Sequence, residues 1–208
     1  MRIALVMASV MMAAALAGCA QKTAEAPPAV RGRIDISPND PRWRQLHRLV
    51  CAGITCRSAT SIHLKMPDGP DFDENNGYGG PYAQKGNIFI DAGESFFIET
   101  DIGPNGPVKP RFVSKIEHPE RTLTFTLEQR PDLAAGFGVR LTVVNPFDKA
   151  LKYDVREVRP DGSTDDAIGL CPVLPHDSGR KNWQYPVSQA LIANLTFVSN
   201  ELAEVCAP

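Results

Sequence analysis

The chain has 208 residues, 22 basic and 24 acidic side chains and 43% hydrophobic content, enough for one globular domain with a real core and too little for two large ones. A formal net charge of -2 argues against a nucleic-acid binder, because phosphate contacts need Lys and Arg in concentrated excess. With 18 prolines and 16 glycines the chain favours turns over long helices, and its alternating apolar and polar stretches argue against overall disorder.

Met1-Arg2 supplies a positive start, and Ile3 to Ala17 is an uncharged, largely apolar run of 15 residues. A helix rising about 1.5 Å per residue cannot cross a hydrocarbon core about 30 Å thick with that length, so the run reads as a secretory h-region. It ends in Leu16-Ala17-Gly18-Cys19, which resembles the lipobox of bacterial lipoproteins. The resemblance implies cleavage before Cys19, a diacylglyceryl group on its sulfur, and acylation of its amine. Several acyl chains, at about 0.8 kcal/mol per buried methylene, anchor a protein effectively permanently. Ala20 stands where lipoproteins kept at the inner membrane of enteric bacteria often carry Asp, so the resemblance implies the outer membrane, facing the periplasm. Residues 1–18 are then a signal peptide, and 19–38 a lipidated tether with Pro27 and Pro28, extended by up to about 3.1 Å per residue. The domain occupies 39–208. Loss of Arg2 leaves the mature chain with 21 basic and 24 acidic residues, a balance of -3.

A short helix opens the domain. Asp40 caps it, Pro41 suits its first turn, Trp43, Leu46, Leu49 and Val50 form one apolar stripe, and Gly53 supplies a stop. Arg42, Arg44 and Arg48 lie off the stripe, as on a solvated face. The period then changes to two. Ile62, Leu64 and Met66 alternate with His63 and Lys65, and strands follow at 88–91, 94–102, 121–129, 138–145, 151–158, 167–174 and 189–198. In 121–129, Leu123, Phe125 and Leu127 oppose Thr122, Thr124 and Thr126, a pattern suited to a half-exposed pleated surface. Asn145-Pro146-Phe147-Asp148 and Pro160-Asp161-Gly162 are turn formers. The expected fold is mainly β: an antiparallel sandwich of about seven or more strands with one short N-terminal helix. Val139 to Val155, strand, Asn-Pro loop and strand, is similar to a hairpin of bacterial immunoglobulin-like envelope domains.

Four cysteines remain beyond the anchor, and in an exported chain they read as disulfides with three pairings open. The favoured pairing is Cys51 with Cys56 and Cys171 with Cys206. Chain entropy gives about 2 kcal/mol for the first, shorter loop and roughly 4 kcal/mol for the second. A competing use is metal binding: His47, Cys51, Cys56 and His63 are chemically competent for zinc or copper(I) as thiolates and imidazoles. An oxidising compartment opposes it.

Pro67 to Asn87, rich in Gly, Pro and Asp, reads as a long loop, a feature usually functional or mobile. Asp71, Asp73 and Asn75 resemble the start of a calcium loop, but Asn76 replaces its glycine and Tyr82 its bidentate glutamate, which excludes an EF-hand and leaves a looser calcium site. Phe72, Tyr78 and Tyr82 form a candidate partner-contact patch, whose joint replacement by alanine is expected to abolish capture and spare the melting temperature. Trp183 and Tyr185 read as a binding tip or as cover for the sandwich edge. His176, Asp177 and Ser178 are consecutive, so they form no triad by themselves, and no nucleophile elbow, phosphate loop or zincin motif occurs. The sequence therefore points to a non-catalytic binding or structural module, lipid-anchored in the cell envelope with an envelope protein partner, no nucleic acid and no resident cofactor. The alternatives are a metal-handling envelope protein or a hydrolase of dispersed residues.

Overall fold

A computed structural model of the protein describes residues 41–76, 79–165 and 168–201. In chain order these hold helix α1 (Pro41–Val50) and strands β1 (Thr60–Leu64), β2 (Phe72–Asn76), β3 (Ala83–Gln84), β4 (Asn87–Asp91), β5 (Ser95–Gly103), β6 (Gly106–Val113), β7 (Thr122–Gln129), β8 (Val139–Val144), β9 (Ala150–Val158), β10 (Ile168–Gly169), β11 (Ser178–Trp183) and β12 (Gln189–Val198). Two antiparallel five-stranded sheets form the sandwich. Sheet I runs β10-β9-β12-β4-β3 and sheet II runs β11-β8-β7-β5-β6, while β1 and β2 pair as a separate two-stranded sheet.

The alternation read from the sequence fills the space between the sheets. Leu123, Phe125 and Leu127 of β7 and Val139, Leu141 and Val143 of β8 are fully buried, as are Ile88, Ile90, Ala190, Ile192 and Leu151 from sheet I. Each large side chain taken out of water contributes about 1.5–3 kcal/mol before chain entropy is counted.

Strands β8 and β9 do not form the expected hairpin. The first pairs within sheet II and the second within sheet I, so the Asn-Pro segment is an arch between sheets. Asn145 holds that arch from a fully buried position. Its side-chain amide donates to the carbonyls of Lys149 (2.9 Å), Val173 (3.0 Å) and Leu174 (3.0 Å), and its Oδ1 accepts the Phe147 N–H at 3.0 Å. A buried carboxamide with every polar atom bonded repays its desolvation.

Several other expectations change. The 67–87 segment is not one continuous loop: β2 pairs with β1 from Leu64↔Phe72 to Thr60↔Asn76, and β3 pairs with β4. The strand expected at 167–174 contracts to β10 and an isolated bridge, Leu151↔Val173. Strands β6 and β11, the two edges of sheet II, were hidden by Pro107 and Pro110 in one and by Arg180 and Lys181 in the other. These residues suit edges, where proline breaks no ladder and charge deters further pairing. Helix α1 forms, but Leu46 and Leu49 of its stripe are not buried, being 45% and 69% exposed.

Candidate functional site

The β1–β2 pair collects the acidic residues around a histidine. Alternation on β2 puts Asp73 opposite His63 and Asn75 opposite Ser61. His63 Nδ1 lies 2.7 Å from Asp73 Oδ1, its Nε2 lies 3.7 Å from Asp71, and Ser61 donates to Asn75 Oδ1 at 2.9 Å. The bond to Asp73, then its negative charge, raises the imidazole pKa. The oxygens named as calcium ligands thus engage β1 side chains.

The cysteine–histidine group is divided. Cys51 and Cys56 form a disulfide with S–S 2.04 Å and Cα–Cα 5.8 Å, so neither is a thiolate. The ligand atoms of His47, Cys51 and Cys56 lie within 4.8 Å of one another, whereas His63 is committed to the β1–β2 pair. Cys171 is also disulfide-bonded; Cys206 and the lipidation residue Cys19 lie outside the described residues.

The aromatic patch is largely structural. Tyr78 lies outside the described residues, and Phe72 packs, partly buried, against the core. Tyr82 stacks on Phe112 with centroids 4.0 Å apart and meets Phe96 edge-on at 5.0 Å. The Arg57 guanidinium sits 4.3 Å from its ring centroid, and burial raises the phenol pKa, with the nearby Glu94 charge adding to it. An aromatic held on both faces stabilises the domain, so replacement of Tyr82 by alanine is expected to lower the melting temperature. Trp183 likewise is no exposed tip. It is only 3% exposed, and Tyr185 donates to the buried Glu157 carboxylate at 2.7 Å.

Sequence reasoning missed a cleft of about 290 Å³ between the β3–β4 turn, β6 and the middle of β12. Its wall includes Lys85, Asn87, Thr100, Val108, Lys109 and Asn194, and no carboxylate. Three of the six non-glycine residues with positive φ among the described residues, Lys85 (52°), Lys109 (52°) and Asn194 (54°), stand on this wall. Each has a local cause. Lys85-Gly86 forms the two-residue β3–β4 turn, whose mirror-image geometry needs positive φ at both positions. The other two sit where the β5–β6 and β12–β9 registers shift, as bulges do. Lys109 Nζ pairs with Asp101 at 3.3 Å and Asn194 donates to Asp154 at 2.8 Å. The cleft thus sets the Lys85 ammonium, the Asp101-paired Lys109 ammonium and the Asn87 carboxamide beside the apolar Val108, a setting for an anionic group that competes with Asp101 for Lys109. The legible signals were Lys85-Gly86 between two strands and the paired prolines of β6, but nothing in one sequence brings them together. No protein-family model, no curated protein and no solved structure matches this chain.

Proposed function

We propose that the protein is a lipid-anchored binding module of the bacterial cell envelope, held on the periplasmic face of the outer membrane and acting without catalysis. The observation that carries this reading is the apolar run Ile3–Ala17 closed by Leu16-Ala17-Gly18-Cys19 and followed by a proline-bearing tether. The disulfides at Cys51–Cys56 and at Cys171 support an oxidising compartment; Cys206 is the proposed partner of Cys171. Function on this reading is positional: acyl chains fix the molecule, the tether sets its reach, and the sandwich holds a recognition surface rigid. The lysine-bearing cleft, rather than Phe72, Tyr78 and Tyr82, is the proposed contact surface for an acidic group of an envelope protein.

A non-reducing intact mass of protein extracted from its own membranes tests the anchor. Acyl mass on a chain starting at Cys19, with the four hydrogens of two disulfides missing, is expected, and an unmodified Cys19 overturns the reading. Lys85→Gln with Lys109→Gln is expected to lower partner capture by cross-linking roughly tenfold, as loss of two interfacial charges does, and unaltered capture removes the cleft from it. A second reading, metal handling, draws on the closeness of His47 to both sulfurs. It requires free thiols and a copurifying zinc or copper ion in the same mass measurement.

A further inference from the structure

Helix α1 combines positive charge with an exposed apolar pair. Its ten residues include Arg42, Arg44, His47 and Arg48 and no carboxylate. Leu46 and Leu49, three residues apart and therefore neighbours on one face, are 45% and 69% exposed. Single exposed leucines are ordinary; an adjacent pair on a helix carrying only positive charge is a more specific arrangement. The orientation of the helix is also constrained. Its last turn leads into Cys51, whose N–H donates to His47 O at 2.8 Å. The disulfide then joins Cys51 to Cys56, which bridges to Pro81 just before β3. Val50 and His47 are half-buried toward that junction, while Arg44, Leu46, Arg48 and Leu49 face solvent.

Charge is divided along the chain in the same sense. From Cys19 to Val50 there are six basic and three acidic residues, whereas from Cys51 to Pro208 there are 15 basic and 21 acidic. The segment nearest the proposed anchor is therefore +3 and the remainder -6. Beside an anionic lipid surface that asymmetry draws the helix down and pushes the body of the sandwich away.

We infer that α1 docks on an anionic membrane surface, with Leu46 and Leu49 entering the boundary between headgroups and acyl chains and the arginines meeting lipid phosphates. The inference rests on the lipid-anchor reading, because acylation at Cys19 makes this second contact intramolecular. A helix too short to hold a membrane from solution binds when its tether keeps it within reach. Arginine suits the position, since its long apolar stem lies along lipid while the guanidinium reaches the phosphate. Docking would give the tethered domain a fixed base, presenting the opposite parts of the sandwich to the periplasm.

Trp43, in the first turn of α1, supplies the reporter, because the other tryptophan, Trp183, is buried in the core. The full mature protein is reconstituted into vesicles with bromine-labelled acyl chains, made of phosphatidylcholine alone or with phosphatidylglycerol added. Tryptophan quenching is expected to be at least about two-fold stronger with the anionic lipid and to weaken with salt, as surface electrostatics require. Leu46→Asp with Leu49→Asp changes only exposed positions, so the melting temperature is retained while quenching falls to the phosphatidylcholine level. Equal quenching in both vesicle types, or quenching unchanged in the double variant, overturns the inference. So does absent quenching with a copurifying protein shed by the same variant, which assigns the leucines to a protein partner. If the intact mass shows no acyl groups, the anchor reading fails by itself, and quenching of protein coupled at its N-terminus to a vesicle lipid still decides the role of the helix.

Discussion

Arg57 shows how one side chain can organise a region that the sequence presented as a loop. It is only 3% exposed. Its guanidinium donates to both Glu94 carboxylate oxygens at 2.5 and 2.6 Å, to Phe89 O at 2.7 Å and to Pro81 O at 3.0 Å, with Asp91 at 3.4 Å. Burial opposes the charge, but the bond to Glu94 and the nearby Asp91 and Glu94 charges outweigh it, and the pKa is raised. Gly79 lies so close that a Cβ there would collide with Arg57 Cβ. The segment before β3 is thus wrapped around a cation, with Tyr82 stacked over it. Arg57→Met removes the fork and leaves the buried Asp91 facing Glu94, and is expected to cost about 3–5 kcal/mol in urea unfolding. Adding Glu94→Gln should recover part of that loss, since one uncompensated charge disappears. No recovery would show that the backbone carbonyls, rather than the ion pair, dominate the site.

At the scale of elements, legibility followed the strength of the alternating pattern. Strands β7, β8, β9 and β12 were readable because Leu123, Phe125 and Leu127, and their counterparts, repeat every second residue. The sequence does not show which sheet each strand joins, so the alternation around Asn145 suggests a hairpin where the two strands belong to different sheets. Edge strands were missed because prolines and charges, which read as loop, are also what edges use. The cleft escaped for a related reason: bulges at Lys109 and Asn194 are properties of register, which depends on partner strands. The Cys51–Cys56 bridge was legible from an even cysteine count and close spacing. One inter-sheet contact can be tested alone. The β5–β6 turn docks on β12 through a 2.8 Å bond from Phe197 N–H to Asn105 O, and a Cβ on Gly106 would lie 2.8 Å from both Leu195 O and Thr196 Cα. Its φ of +152° also disfavours any side chain. Gly106→Ala is expected to destabilise the domain by about 1–3 kcal/mol and to accelerate hydrogen exchange at the Phe197 amide more than at core amides of β7. Uniform acceleration would mean that this contact is inseparable from global unfolding.

For the whole molecule, the shifted ionisations give opposite slopes on the two sides of a stability optimum. Asp101 is held below its usual range first by its bond to Arg111 and then by Lys109, Asp132 first by Arg130, and Asp161 first by Ser163. Carboxyls lowered on folding contribute fully above their unfolded pKa of about 3.9 and lose that contribution as pH falls through the folded value. His63 behaves in the opposite sense. Its bond to Asp73 raises its pKa, so its contribution is complete below the unfolded value of about 6.5 and fades as pH rises through the folded one. Both contributions are complete together between roughly pH 4 and 6.5, and the maximum melting temperature is expected there. The groups are exposed, so the curve is shallow and flattens further in salt. His63→Gln should remove the decline of melting temperature above the optimum and leave the acid limb intact, while Asp101→Asn should soften the acid limb alone. Melting curves across this range for the three proteins decide the matter: a high-pH decline that survives His63→Gln would assign it to another group and sink the β1–β2 pair as its source.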